Sequence, residues 1–403
     1  MIYPKPDTKS GTDFFNFNFT ANNQLYFGTG KFKLLPKLID SFGSNLLLIC
    51  GGKSFKKTNH YTWLLNTLKN NSTRVYFSSI SSEPSPGRID EIVRKHHNQN
   101  IHVVAAIGGG SVVDTGKAVS AMLTKKESVL DYLEGVGTQI YDGEKIPFIA
   151  VPTTAGTGSE ATQNAVLCQV SKKGFKKSLR HEKLVPDIAV VDPELTLSCS
   201  REITTACGMD ALTQLIGSYV SIKASPMTDS LALGGLRFMG DGFLKSSVMD
   251  PLDINARTMM CYGSYISGLT LANAGLGAVH GFAAVIGGYF HIPHGVICGT
   301  LLAQVTQKNI EILIRFDPES KILLKYAAIG KIIGKIKGNS PIENARALSA
   351  LLKEWTEILK IPLLGQFGVG MDDVDKIVSA MGQKNNPVIL REMDLKEILR
   401  SRI

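Results

Sequence analysis

The sequence predicts an α/β domain built on a parallel sheet, followed by an all-α domain, and three observations predict it. Short, wholly apolar runs recur through the first half. Amphipathic segments separate them. After Asp192-Pro193 the β-branched runs give way to helical patterns that continue to Ile403. Strands that are apolar on both faces belong to a parallel sheet covered on each side by helices. At 403 residues the chain exceeds one ordinary core. The boundary is expected near residues 193–200, giving domains of 1–195 and 196–403.

Taken in order, "NLLLIC" (Asn45 to Cys50) is a buried strand that stops at Gly51-Gly52. "RVYFSSI", "IHVVAAI", "FIAVPTTAG" and "PDIAVVD" have the same form, and "GRIDEIVRKHHNQN" is an amphipathic helix between two of them. The strand ending at Ile107 runs into Gly108-Gly109-Gly110. Ser111 is then placed to N-cap a helix whose apolar face includes Val112, Ala118 and Ala121. Glycines let a ligand approach the backbone, and a helix N-terminus offers free N–H groups and a positive dipole end, so a diphosphate suits this turn. A glycine triplet alone is equally compatible with a plain strand-to-helix turn, and the spacing is not GxGxxG. "VPTTAGTGSEAT" adds a second hydroxyl-rich turn after another strand. Two such turns at the ends of parallel strands are what a nucleotide site in an open sheet presents. A third turn, "CGGKSFKK", has no acid to bind a ribose 2′-hydroxyl. Lys53, Lys56 and Lys57 favour a 2′-phosphate there, hence NADP over NAD.

The helical half contains a stretch without charge. From Thr258 to Gln307 there is no Asp, Glu, Lys or Arg, yet "HGFAAVIGGYFHIPHG" places three histidines in it. Imidazoles there are either satisfied core residues or ligands for a cation. The stretch is long enough to span a bilayer. Its glycines, Asn273, hydroxyls and lack of flanking basic clusters make buried helices the expected origin instead.

Composition narrows the rest. Hydrophobic residues make up 44% and charged residues 20%, which is globular. The net charge of +9 is spread out, without a stripe of interleaved basic and aromatic residues, so no nucleic-acid partner is expected. Six cysteines without CxxC spacing suit a reducing compartment, and the cytoplasm is the expected location. "MIYPKPDTKSGTDFF" lacks the form of a signal peptide.

Seven stretches carry a resemblance over nearly the whole chain: "LYFGTGKFKLLPKL", "GGGSVVDTGKA", "VPTTAGTGSEAT", "LVPDIAVVDPELT", "CGMDALTQLIGSY", "HGFAAVIGGYFHIPHGV" and "NNPVILREMDLKEILR". In this order they resemble the iron-containing (group III) alcohol dehydrogenases. The resemblance implies an N-terminal nucleotide-binding α/β domain and a C-terminal helical domain, with a divalent metal, Fe²⁺ or Zn²⁺, in the cleft. It implies hydride transfer between NADP or NAD and a small alcohol or aldehyde, in a homodimer. The family's metal ligands fall on Asp210, Gln214, His280 and His294, with Gln214 standing where the family has His. A second family histidine falls on Ala284. The cofactor set falls on Gly51, Ser54, Gly109, Gly110, Ser111, Asp114, Thr153, Thr154, Thr157, Lys176 and Leu195. The two departures keep one rival reading open, a nucleotide-binding member with weakened or lost metal and catalysis. A second rival, a dehydroquinate-synthase-like lyase, uses a nucleotide, a metal and a similar domain pair on the same fold.

Spacing tests the ligand set. Asp210 and Gln214 are i, i+4 and share a helix face. His280 and His294 would lie about 21 Å apart on one continuous helix, too far for one ion. Gly287-Gly288 and Pro293 are therefore expected to break that helix, so that the chain folds back and His294 begins a new one. His291 is not expected to be a ligand.

Overall fold

The computed structural model describes residues 16–21, 24–172 and 174–403. The N-terminal stretch read above as no signal peptide (1–15) and Lys173 lie outside the described residues. The chain divides into two compact units. One comprises Thr20–Gln169 and Lys176–Ser200. The other comprises Val170–Phe175 and Arg201–Ile403, with the described residues 16–19.

The first unit carries β1 (Gln24–Phe27), β2 (Asn45–Gly51), β3 (Arg74–Ile80), β4 (Val103–Gly108), β5 (Phe148–Pro152), β6 (Asn164–Gln169), all but the first residue of β7 (Phe175–Arg180), and β8 (Ile188–Val191). Its helices are α1 (Leu35–Asp40), α2 (Asn59–Asn70), α3 (Pro86–His96) and α4 (Gly110–Met122). Six strands form one parallel sheet in the order β1-β8-β5-β4-β2-β3, and β6 and β7 form a separate pair. Leu46, Leu48, Ala105, Ile107, Ile149 and Val190 bury one face of the sheet against Leu35, Ile39, Leu64 and Leu68. On the other face Gly116 of α4 lies against Phe148 and Ala106. Both faces are covered, which is why the strands read as unbroken apolar runs. β1, β6 and β7 have no counterpart among the predicted strands. β1 is largely exposed and β7 carries three basic residues, so neither shows that pattern.

The strand order contains a reversal. From β2 the chain steps outward to β3, then returns to place β4 on the other side of β2. Open sheets bind ligands beyond the carboxyl ends of strands at such a switch point. Here those ends are Gly51 and Gly108.

In the second unit the helices are α5 (Arg201–Tyr219), α6 (Pro226–Leu244), α7 (Ile254–Ala274), α8 (Ala278–Tyr289), α9 (His294–Phe316), α10 (Lys321–Ile333), α11 (Pro341–Ile358), α12 (Val374–Ala380) and α13 (Glu392–Arg400). α5 packs against α6, α7 and α9, and α8 against α9 and α12. The chargeless stretch supplies most of α7, all of α8 and the first half of α9. No single helix among the described residues is long and apolar enough to cross a membrane. α7 and α8 meet that test only as a pair, and they are bent by 98°.

Two expectations need correction. Gly287-Gly288 does not break α8, which runs on to Tyr289; the break comes at Phe290 to Pro293. The Gly288 carbonyl accepts from Ser171 N at 3.3 Å. Ser111 is not the N-cap of α4. Gly109 is, because its carbonyl accepts the first intrahelical bonds from Val112 and Val113 at 2.9 and 3.1 Å.

Candidate metal centre and nucleotide turn

Asp210 sits midway along α5, and its side chain is almost wholly buried. His280 lies in the first turn of α8 and His294 is the first residue of α9. The turn at Phe290 to Pro293 folds α9 back, so the two imidazoles, fourteen residues apart in sequence, have ring centroids 5.4 Å apart. Gly295 makes the approach possible. A Cβ there would stand 2.0 Å from the Ala206 carbonyl oxygen, so only glycine lets the start of α9 close on α5. Asn386 fixes the start of α8: its Oδ1 accepts from Ala278 N and from Asn309 Nδ2, while its own amide donates to Asn309 Oδ1 at 2.9 Å.

The donor atoms converge. His280 Nε2 is 3.3 Å and His294 Nε2 3.7 Å from Asp210 Oδ1. Cys298, one turn beyond His294 on α9, brings Sγ to 3.6 Å from His280 Nε2 and 3.8 Å from His294 Nε2. One donor atom from each of these four residues lies within 4.8 Å of the others. Nitrogen, oxygen and sulfur donors about 2.0–2.3 Å from one tetrahedral ion would lie roughly 3.3–3.8 Å from one another. The residues present therefore fit a divalent ion. Burial would raise the Asp210 carboxyl, but His294, His280 and a hydrogen bond from Gln214 outweigh it and hold the pKa at about 2. The carboxylate is ionised across the physiological range.

Gln214 is near but turned. Its Oε1 accepts from Ser267 Oγ on α7 at 2.8 Å, and its amide donates to Asp210. His291 lies exposed in the loop between α8 and α9, away from the cluster. Cys298 was missed in the sequence, where a lone cysteine on an apolar helix reads as core. The clue was its i, i+4 spacing from His294, which puts both on one helix face.

In the sheet unit the two polar turns touch. Thr153 N donates to Gly108 O at 2.9 Å. A Cβ on Gly110 would stand 2.5 Å from Thr157 Cγ2, and one on Gly109 would stand 3.4 Å from Thr154 Oγ1. Gly109, Gly110 and Ser111 thus bring the first-turn amides of α4 beside Thr153, Thr154 and Thr157. Asp114 faces inward: its oxygens accept from Ser159 Oγ and Val166 N. Lys117, one turn on, is fully buried and donates to Ser159 O, Asn164 O and Thr162 Oγ1 at 2.6–2.8 Å. Burial pushes its ammonium down to about 8 against the pull of Asp114, and pushes Glu160 up to about 7. This buried set ties α4 to the second turn and fixes the geometry of both.

Gly51 ends β2 beside β4, and Ser54, Lys53, Lys56 and Lys57 are exposed beyond it with no acid among them. Leu195 is buried in the core below the sheet. Lys176 pairs with Glu83 at 2.6 Å.

Known proteins match both units. Residues 22–193 match the family described as iron-containing alcohol dehydrogenase, and residues 204–403 match the C-terminal region of the Fe-containing alcohol dehydrogenase family. The NAD-dependent methanol dehydrogenase of Bacillus methanolicus is 30% identical, over 81% of this chain and 83% of its own length. The NADPH-dependent butanol dehydrogenase of Clostridium saccharobutylicum is 30% identical, over 94% of this chain and 96% of its own. Among solved structures, a 1,3-propanediol oxidoreductase superposes with a TM-score of 0.86 at 26% identity, covering 96% of this chain and 100% of that one.

Proposed function

From the premise that the chain belongs to the iron-containing alcohol dehydrogenase family, we propose that it is a metal-dependent oxidoreductase moving hydride between a nicotinamide nucleotide and a small alcohol or aldehyde. The observation that carries this reading is the four-donor cluster: the two imidazole nitrogens lie 3.3–3.8 Å from the Asp210 oxygen and the Cys298 sulfur, the edge lengths of a single-ion site. Asp210, His280 and His294 hold the ion. When bound, the ion supplies a Lewis acid for the substrate oxygen, and the nucleotide supplies or receives the hydride.

The chain's own residues do the rest. Asp210 remains charged because its neighbours outweigh burial, so the donor set keeps an anion in a dry site. His280 and Cys298 close the inner side, while the His294 side chain is 25% exposed and marks the side open to a substrate. Ala284 supplies no imidazole for proton transfer. The first-turn amides of α4 at Gly110 and Ser111, with Thr153, Thr154 and Thr157 beside them, suit the diphosphate of the nucleotide. NADP is the proposed form, supported by the acid-free, lysine-rich end of β2. Asp114 belongs to the cofactor set by shaping the turn. A homodimer in the cytoplasm completes the proposal; no disulfide links any of the six cysteines.

The test follows nicotinamide absorbance with a panel of short alcohols and aldehydes, before and after chelation. The expected result is turnover that chelation abolishes and a divalent ion restores. A chain that binds NADPH but turns over nothing with Fe²⁺, Zn²⁺ or Co²⁺ supplied would overturn it.

A further inference from the structure

We propose that Cys298 Sγ is the fourth protein donor to the divalent ion, in the place that the family resemblance gave to position 214. The assignment rests on reading the cluster as the metal site, and three observations single out the thiol. First, Sγ stands 3.6 and 3.8 Å from the two imidazole nitrogens, close to the 3.3 and 3.7 Å of the Asp210–imidazole edges. Second, Gln214 cannot fill that corner as it stands, because its oxygen accepts from Ser267 and its N–H groups face Asp210. Third, Cys298 is completely buried, yet two imidazole nitrogens and a carboxylate oxygen surround its sulfur within 4.8 Å. That is a poor environment for an apolar side chain and a good one for a thiolate beside a cation.

The chemistry balances simply. Ion binding displaces the thiol proton to solvent and forms the metal–sulfur bond. One consequence is selectivity. A set of one carboxylate, two imidazoles and one thiolate is softer than carboxylate and imidazole alone, so it favours Zn²⁺ or Co²⁺ over Fe²⁺ and Mn²⁺.

X-ray absorption of the zinc-loaded wild-type protein is the direct test. One sulfur scatterer at about 2.3 Å, beside nitrogen and oxygen at about 2.0–2.2 Å, is the expected result. Cobalt loading should also give a near-ultraviolet sulfur-to-metal band. Cys298→Ser should lose that band and weaken Zn²⁺ binding at least about tenfold, the loss typical of removing even an outer partner. Cys261→Ser should keep both. Gln214→His in the Cys298→Ser background should recover affinity without recovering the band. Only nitrogen and oxygen around zinc in the wild type, or a band that survives in Cys298→Ser, would overturn the cysteine assignment while leaving the metal site standing. A chain that binds no divalent ion at all would overturn both. The absorption measurement needs no variant, so it decides even if Cys298→Ser fails to fold.

Discussion

Gln214 Oε1 and Ser267 Oγ are joined by a 2.8 Å hydrogen bond between α5 and α7, and this bond turns the amide of Gln214 toward Asp210. The residue acts on the cluster through Asp210. It orients the carboxylate and lowers its basicity, as outer partners of metal ligands do. Gln214→Ala is therefore expected to weaken Zn²⁺ binding roughly tenfold to a hundredfold. Ser267→Ala should give part of that loss and add little in the Gln214→Ala background, because both changes break one relay. Competition against a chromophoric chelator measures both. Additive losses would mean the two residues act separately.

Gly295→Ala is expected to be costly beyond its size. The new methyl would stand 2.0 Å from the Ala206 carbonyl oxygen, which is backbone and cannot rotate away. α9 must shift off α5, at about 1–3 kcal/mol, and His294 shifts with it. Denaturant unfolding and metal titration should both register the change. Gly382→Ala is the control: nothing lies within 4 Å of its added Cβ, and stability should stay within about 0.5 kcal/mol of wild type.

The parallel sheet was legible because strands buried on both faces leave unbroken apolar runs, as at β2, β4 and β5. The fold-back that joins His280 to His294 was legible in outline from Pro293. Its cause was not: the chargeless helix continues through Gly287-Gly288, since an isolated glycine pair costs a buried helix less than its packing returns. The rotamer that turns the Gln214 amide oxygen away from the cluster, and its N–H toward Asp210, depends on Ser267, fifty-three residues distant, and no local pattern contains that. Cys298 was hidden for the opposite reason. Its spacing from His294 was visible, but a cysteine among apolar residues is ordinary core.

Glu160 should make stability depend on pH. Burial raises its folded pKa to about 7 from an ordinary 4.5. The folded state therefore holds a proton that the unfolded state has lost between those values. The associated stability is fully present below pH 4.5 and is lost as pH rises through 7, on the order of 3 kcal/mol in all. Glu160→Gln is expected to flatten this part of the profile, leaving the variant relatively more stable than wild type at pH 8 than at pH 5. Urea midpoints across that range measure the difference. An unchanged difference between the two proteins at both pH values would show that Glu160 is ionised in the folded state.

Cofactor choice is expected to follow the end of β2. Lys53, Lys56 and Lys57 are exposed just beyond Gly51, the end of the strand that pairs with β4, and no carboxylate stands among them in the sequence. A ribose 2′-phosphate at this edge gains charge-assisted hydrogen bonds, each worth about 1.5–3 kcal/mol. A bare 2′-hydroxyl gains nothing comparable. Neutralising Lys53 and Lys56 together should lower kcat/KM for NADPH roughly tenfold or more and leave NADH nearly unchanged. Gly52→Asp should go further, since its carboxylate repels the phosphate and can accept from the hydroxyl. Its Cβ meets only Ser81 Cβ at 3.5 Å and neighbouring backbone at 3.9 Å, and its φ lies outside the left-handed region, so the fold tolerates the change. Added salt should reduce the NADPH preference of the wild type, because exposed lysines are screened. Equal loss for both nucleotides in the lysine variant would place the discriminating contacts elsewhere on the sheet edge.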